Sequence, residues 1–421
     1  MRIFLSAGAA LALGVCQACS SADDASSSAS TTSDNSATNG SNDPCAVTAV
    51  DGGLGRIGAG GQAVALNATV SENTAGCASV TWTQISGAAT SLSSASLEDP
   101  IVTLPSVSVR ETLVFEITAD DGNGVTVNDT VAIEVWVGAD STTDRTVLGD
   151  FSARADWACD VDPPAATSVS TQDQGAETAY TVNEMPSHAT GAFPNSGNPN
   201  AISAQSKLFF IPNTPVKTST ATEMAEFGLT IDGVRLERDT AESFQNAGVW
   251  QYEAVTPGLA EGSTVGAEFA WLGTDCNNAH VQPTGAYHYH GLMEGLINAA
   301  GETDAPPADM VLGGYAADGF PFYLRYGYND PNDAASGLTV IEASWELRSG
   351  ARGSGPGGAY DGTFRQDWEY VAASGDLDEC GGRFGVTPEF PGGVYHYYVT
   401  DDYPYIPRCV FGTPDSSFRR R

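Results

Sequence analysis

Over residues 45–138, apolar and polar positions alternate in short runs broken by Gly, Asn and Asp, as in Val64-Ala65-Leu66-Asn67-Ala68-Thr69-Val70 and Val131-Ala132-Ile133-Glu134-Val135. A period of two places alternate side chains on opposite faces of a strand, so these runs predict an antiparallel sandwich. Beyond a linker around 139–145 the pattern changes. Residues 146–415 are dense in Gly, Pro, Asn and Asp, with clustered aromatics and few stretches of helical period. The helical candidates are 222–227 and 292–300. The expected fold class is all-β (mostly β): an N-terminal sandwich followed by a large, loop-rich β domain with few short helices. Neither heptads nor a fixed repeat is present.

The N-terminus departs from this pattern. Met1-Arg2 precedes a short apolar run, 3–15, that ends in small residues and two cysteines. This reads as a secretion signal over 1–18. The run is shorter than the roughly 18 apolar residues that a spanning helix needs. Leu13-Gly14-Val15-Cys16 and Cys16-Gln17-Ala18-Cys19 both resemble a lipoprotein-peptidase site. Small Ala18 favours Cys19 as the lipidated residue, and the expectation is an exported protein held to a bacterial membrane by lipid. Ser20 and Ser21, in place of an aspartate after Cys19, lean toward the outer membrane, facing periplasm or exterior. The rest of 19–44 is nearly all Ser, Ala, Thr, Asp and Asn, too poor in apolar surface to offset chain entropy, and reads as a tether. Cys45, Cys77, Cys159, Cys276, Cys380 and Cys409 remain, an even set that in an oxidising compartment reads as disulfides, one in the first domain and two in the second.

Fifty-two acidic residues against eighteen basic ones give a formal charge of -34. That excludes general nucleic-acid binding, which requires a basic face. It does not identify a partner, because acidic composition also serves solubility.

Candidate chemistry is concentrated in one stretch. Of the five histidines, three fall within Asp275-Cys276-Asn277-Asn278-Ala279-His280-Val281-Gln282-Pro283-Thr284-Gly285-Ala286-Tyr287-His288-Tyr289-His290-Gly291. On an extended strand His288 and His290 share a face, while Tyr287 and Tyr289 take the other. The Pro-Thr-Gly turn allows His280 to fold back beside the pair. Three neutral imidazoles suit copper or zinc, with iron behind them, whereas calcium calls for oxygen ligands. His396, in a second Tyr-His-Tyr strand, is a candidate fourth ligand or a packed aromatic-strand residue. Candidate carboxylates for the shell are Asp318, Asp378, Glu379 and Glu294, each of which also reads as a turn-former or an arginine partner. Glu294 enters because His288-x-His290-x3-Glu294 mimics part of the cupin metal motif, although Gln282 stands where that motif has a glycine. His188, in a Pro-Ser-His turn, reads as a loop residue.

Two resemblances extend these readings. Val80-Thr81-Trp82-Thr83-Gln84-Ile85-Ser86-Gly87 and Phe115-Glu116-Ile117-Thr118-Ala119-Asp120-Asp121-Gly122-Asn123-Gly124 resemble marker strands of PKD-type and cadherin-like Ig modules. Such modules space or present a neighbouring domain. The resemblance also raises calcium at Asp120 and Asp121, against plain turn chemistry. Tyr287-His288-Tyr289-His290 resembles the motif that names the YHYH domain family. Further similar segments include Ala317-Asp318-Gly319-Phe320-Pro321, Leu377-Asp378-Glu379-Cys380-Gly381-Gly382-Arg383 and Pro404-Tyr405-Ile406-Pro407-Arg408-Cys409. The family's histidines are suspected ligands, and its activity is poorly settled.

Three functions follow as expectations. The first is metal handling through the histidine cluster. The second is a metal-dependent hydrolase or oxidase using an open metal position, with Asp318 or Glu379 as base and an aromatic wall of Tyr287, Tyr289, Phe320, Phe322, Tyr323, Tyr326 and Tyr328. The third is adhesion to a glycan or protein at the cell surface, with structural histidines. The chain lacks a Gly-x-Ser-x-Gly elbow and a His-Glu-x-x-His helix, which lowers the case for the hydrolases those motifs mark.

Overall fold

The computed structural model describes residues 45–108, 111–136, 158–195, 197–238, 240–255, 272–300 and 307–419. The signal segment, Cys19, the tether and the linker at 139–145 lie outside the described residues. No helix of the described residues is long and apolar enough to cross a membrane.

The structure is mostly β, as expected. In the N-terminal region a four-stranded sheet runs Arg56–Ala59, Thr126–Trp136, Glu111–Asp120, Ser79–Ser86, and a three-stranded sheet runs Ala63–Ala65, Ile101–Thr103, Ser91–Leu92. Alternation drives their packing. Leu113, Phe115, Ile117 and Ala119 are buried along one strand while their neighbours are half-exposed, and the first three share a core with Val64, Leu66, Trp82, Val102 and Ile133. Trp82 donates its indole N–H to the Leu97 carbonyl at 3.0 Å, and a Cys45–Cys77 disulfide closes this region. At the turn, Asp120 accepts from the Gly122 amide and Asp121 from the amides of Asn123 and Val125. Turn chemistry thus accounts for both carboxylates.

This sandwich is joined to the C-terminal region by backbone and charge. Ile57 and Cys159 exchange two backbone hydrogen bonds, 2.9 and 3.2 Å, and buried Arg56 pairs with Asp162 at 2.6 Å. Ile57 and Ala59 pack with Cys159, Cys276, Tyr403 and Tyr405. Cys159 and Cys276 form one of two further disulfides, and Cys380 and Cys409 form the other.

The C-terminal region is organised by a mixed eight-stranded sheet. Its order is Ala279–Val281, Tyr287–Tyr289, Arg235–Glu237, Glu226–Thr230, Val311–Ala316, Pro321–Leu324, Val394–Val399, Gly382–Gly385. The expected helix over 292–300 is present as Glu294–Ala299. The one over 222–227 is not: that stretch forms the strands Thr222–Glu223 and Glu226–Thr230. Glu226–Thr230 lies inside the sheet, paired on both sides and buried throughout. Ladder bonds and burial there outweigh a short apolar spacing that fits either period.

Candidate metal centre

The site sits at one edge of the large sheet. Its hairpin pairs Ala279 with Tyr289, His280 with His288 and Val281 with Tyr287. The turn closes when the Gly285 amide donates to the Gln282 carbonyl at 2.8 Å, with Gly285 at φ +87°. Antiparallel register therefore sets His280 directly across from His288. The chain beyond Tyr289 is held by the His290 amide, which donates to the Asn278 carbonyl at 2.8 Å.

The three imidazoles converge as the alternation implied. Nε2 of His280, His288 and His290 form a triangle with every side 3.0 Å. Donors on one tetrahedral ion with bonds of about 2.05 Å lie about 3.3 Å apart, and at right angles about 2.9 Å, so the triangle has the size of one face of a coordination shell. Nδ1 of His280 lies 3.1 Å from the Leu272 carbonyl and Nδ1 of His288 lies 3.3 Å from that of Ala286. A carbonyl oxygen only accepts, so in the neutral rings the proton sits on Nδ1 and Nε2 offers a lone pair. Burial pushes the His280 pKa below its ordinary value, against the opposing pull of Glu237 and Glu242. Convergent lone pairs repel unless a cation lies among them. The trio could hold a metal ion.

Tyrosines on the opposite side anchor the strand. Tyr287 donates to Asp275 Oδ2 at 2.8 Å, and Asp275 also accepts from the amides of Gly191, Asn277 and Ala279. Tyr289 lies 2.6 Å from His188 Nε2, and His188 Nδ1 faces the Ala189 carbonyl. His188 lies in a bend, as expected of a loop residue, but it is buried there and supports the hairpin. Tyr287, Tyr289, Phe320 and Phe322 belong to the main core and Tyr323 and Tyr328 to a second one, so six of the seven aromatics expected to wall a substrate pocket are core packing, and Tyr326 is half-buried.

The other candidates lie away from the triangle. Four strands separate the strand of His396 from that of His288, roughly 24 Å along the sheet at about 4.8 Å per step. His396 lies 2.9 Å from the Tyr398 hydroxyl and is not a fourth ligand. Asp318 accepts from Tyr397 at 2.7 Å and from the Gly412 amide at 2.8 Å. Asp378 accepts from Tyr395 at 2.8 Å and from the amides of Cys380 and Gly382. Glu294 pairs with Arg325 at 2.9 Å, and Glu379 is exposed. Each of the first three is committed to a structural contact, and none of the four joins the histidine group.

The acid that does approach was not singled out from the sequence. Glu237, buried on the strand beside His288, has Oε2 3.9 Å from His288 Nε2. Its Oε1 accepts from Gln282 at 2.7 Å and lies 3.5 Å from Arg235. The available signal was the alternation Arg235-Leu236-Glu237, two charges flanking an apolar residue in a short strand.

No curated protein and no solved structure matches this chain. Residues 208–412, which contain all three converging histidines, match the model of the family described as YHYH protein, so the C-terminal half carries a YHYH domain.

Proposed function

We propose that this protein is an exported, lipid-anchored metal-handling protein whose YHYH domain binds one transition-metal ion through His280, His288 and His290. The observation that carries the reading is the 3.0 Å triangle of Nε2 atoms, two of them stripped of their protons by Nδ1 contacts to backbone carbonyls. Such a set favours copper or zinc, which imidazole binds well. The imidazoles are oriented by backbone carbonyls and the strand by buried tyrosine contacts, as expected of a site held ready for an ion. The signal segment, Cys19 and the Ser-rich tether support attachment to a membrane, with the domain outside the cytoplasm.

Elemental analysis of the protein purified without chelator tests the reading. Near-stoichiometric copper or zinc is expected, and the double variant His288→Ala, His290→Ala should carry none while keeping its fold. Absence of metal from both proteins, with none taken up on titration, would sink it.

A further inference from the structure

Resting on that metal reading, we propose that Glu237 sets the charge preference of the centre, so that it takes a divalent ion such as zinc in preference to monovalent cuprous copper. Three neutral imidazoles bring no net charge and accept either ion. Glu237 adds a carboxylate at their margin. Gln282 anchors one of its oxygens at 2.7 Å, leaving the other turned toward His288 Nε2 at 3.9 Å.

That carboxylate is only partly balanced by its cationic neighbour. Arg235, on the same strand, serves three carboxylates: Glu184, Glu226 at 2.9 Å and Glu237 at 3.5 Å. All four side chains are nine-tenths or more buried. One guanidinium is therefore divided among three acids, and the one beside the histidines is the most distant from it. In a buried setting a unit charge about 4–5 Å away alters the affinity for each further positive charge by roughly a few hundred-fold. The carboxylate discriminates by charge, whereas the imidazole triangle does so by size and softness.

The test compares zinc and cuprous affinities of the purified protein with those of Glu237→Gln, by competition with a chromophoric chelator. Copper is supplied as its acetonitrile complex without thiol, leaving the disulfides intact. Glutamine keeps the shape and the acceptor for Gln282, so only the charge is lost. Both affinities should fall, zinc at least about 30-fold further than cuprous copper, because the lost carboxylate acts on two charges in zinc and on one in the cuprous ion. If both fall by the same factor, or neither falls, the proposal is overturned. Should the glutamine variant lose its fold by circular dichroism, Glu237→Asp decides: the charge is retained, so the wild-type ratio of zinc to cuprous affinity should persist, and a collapsed ratio overturns the proposal. A wild-type protein that binds neither ion overturns the underlying metal reading, before any substitution at Glu237.

Discussion

The large sheet contains two copies of a Gly-x-Tyr-His-Tyr unit, at 285–289 and 393–397, that are built alike and end differently. In each the glycine has a left-handed φ, +87° at Gly285 and +89° at Gly393, and closes a turn by donating its amide three residues back. In each the histidine Nδ1 faces the carbonyl two residues earlier, 3.3 Å at His288 and 3.0 Å at His396. Tyrosine hydroxyls also pin both strands to acids: Tyr287 to Asp275, Tyr395 to Asp378 and Tyr397 to Asp318. The difference lies at Nε2. That of His288 meets two other imidazoles, while that of His396 meets the Tyr398 hydroxyl, and the His396 ring packs edge-on with that of Tyr323. The unit is thus a way of fixing a histidine tautomer on a tyrosine-anchored strand. An imidazole triangle forms only in the first copy, where the neighbouring hairpin arm brings His280 and the chain itself continues to His290.

The comparison is broken most decisively by exchanging the expected losses. His396→Ala should leave metal content unchanged and lower stability by about 2–4 kcal/mol, since it opens a cavity at a site 1% exposed and removes two hydrogen bonds. Chemical denaturation alongside elemental analysis measures both. Loss of metal in this variant would place His396 in the centre after all and dissolve the contrast.

A somewhat smaller effect sharpens the contrast through pH. Burial, the largest cause, with Arg383 adding to it, pushes the His396 pKa down to about 4, against about 6.5 in an unfolded chain. The unfolded state therefore binds the proton first as pH falls. The contribution of neutral His396 is complete above about pH 6.5 and is lost progressively toward pH 4, up to about 3 kcal/mol in all. Asp402 works the other way, because burial raises its pKa to about 6, so that its contribution grows as pH falls through the same window. The difference between wild type and His396→Gln isolates the histidine. That difference should narrow from pH 7 to pH 4, and a constant gap would mean that His396 is not buried as the neutral ring.

Much of this was legible in the sequence for local reasons, and what was missed is non-local. The strand period exposed the pairing of Tyr287 and Tyr289 against His288, and the Pro-Thr-Gly turn foretold that His280 returns beside it. Those features span at most a dozen residues. Glu237 reaches the site only because Arg235–Glu237 runs parallel to Tyr287–Tyr289, with Arg235 opposite His288, a pairing across some fifty positions that no local pattern encodes. His396 failed in the opposite sense. Its motif matched, but sheet order decides which strands are neighbours. The stretch 222–227 was misread because an apolar run of that length satisfies both periods until its partners are known.

The finest test lies in the two glycines. A Cβ at Gly285 would come 1.9 Å from Ser203 Oγ, but Ser203 is exposed and its hydroxyl can rotate away. What remains is a tight approach to Ser203 Cβ at 3.0 Å and to the Ala201 carbonyl at 3.3 Å, together with the left-handed φ, which costs a non-glycine residue about 1–2 kcal/mol. At Gly393 the Cβ would meet the Phe384 ring at 2.8 Å, and Phe384 is 62% exposed and free to yield. Gly285→Ala should therefore lose at least as much stability as Gly393→Ala, which should lose about 1–2 kcal/mol. Only the first distorts the turn that sets His280 against His288, so only it should weaken metal affinity, by several-fold, in a titration with zinc. Equal affinities in the two variants would show that the triangle is held by its carbonyl and asparagine contacts alone, and that the turn contributes stability without tuning the site.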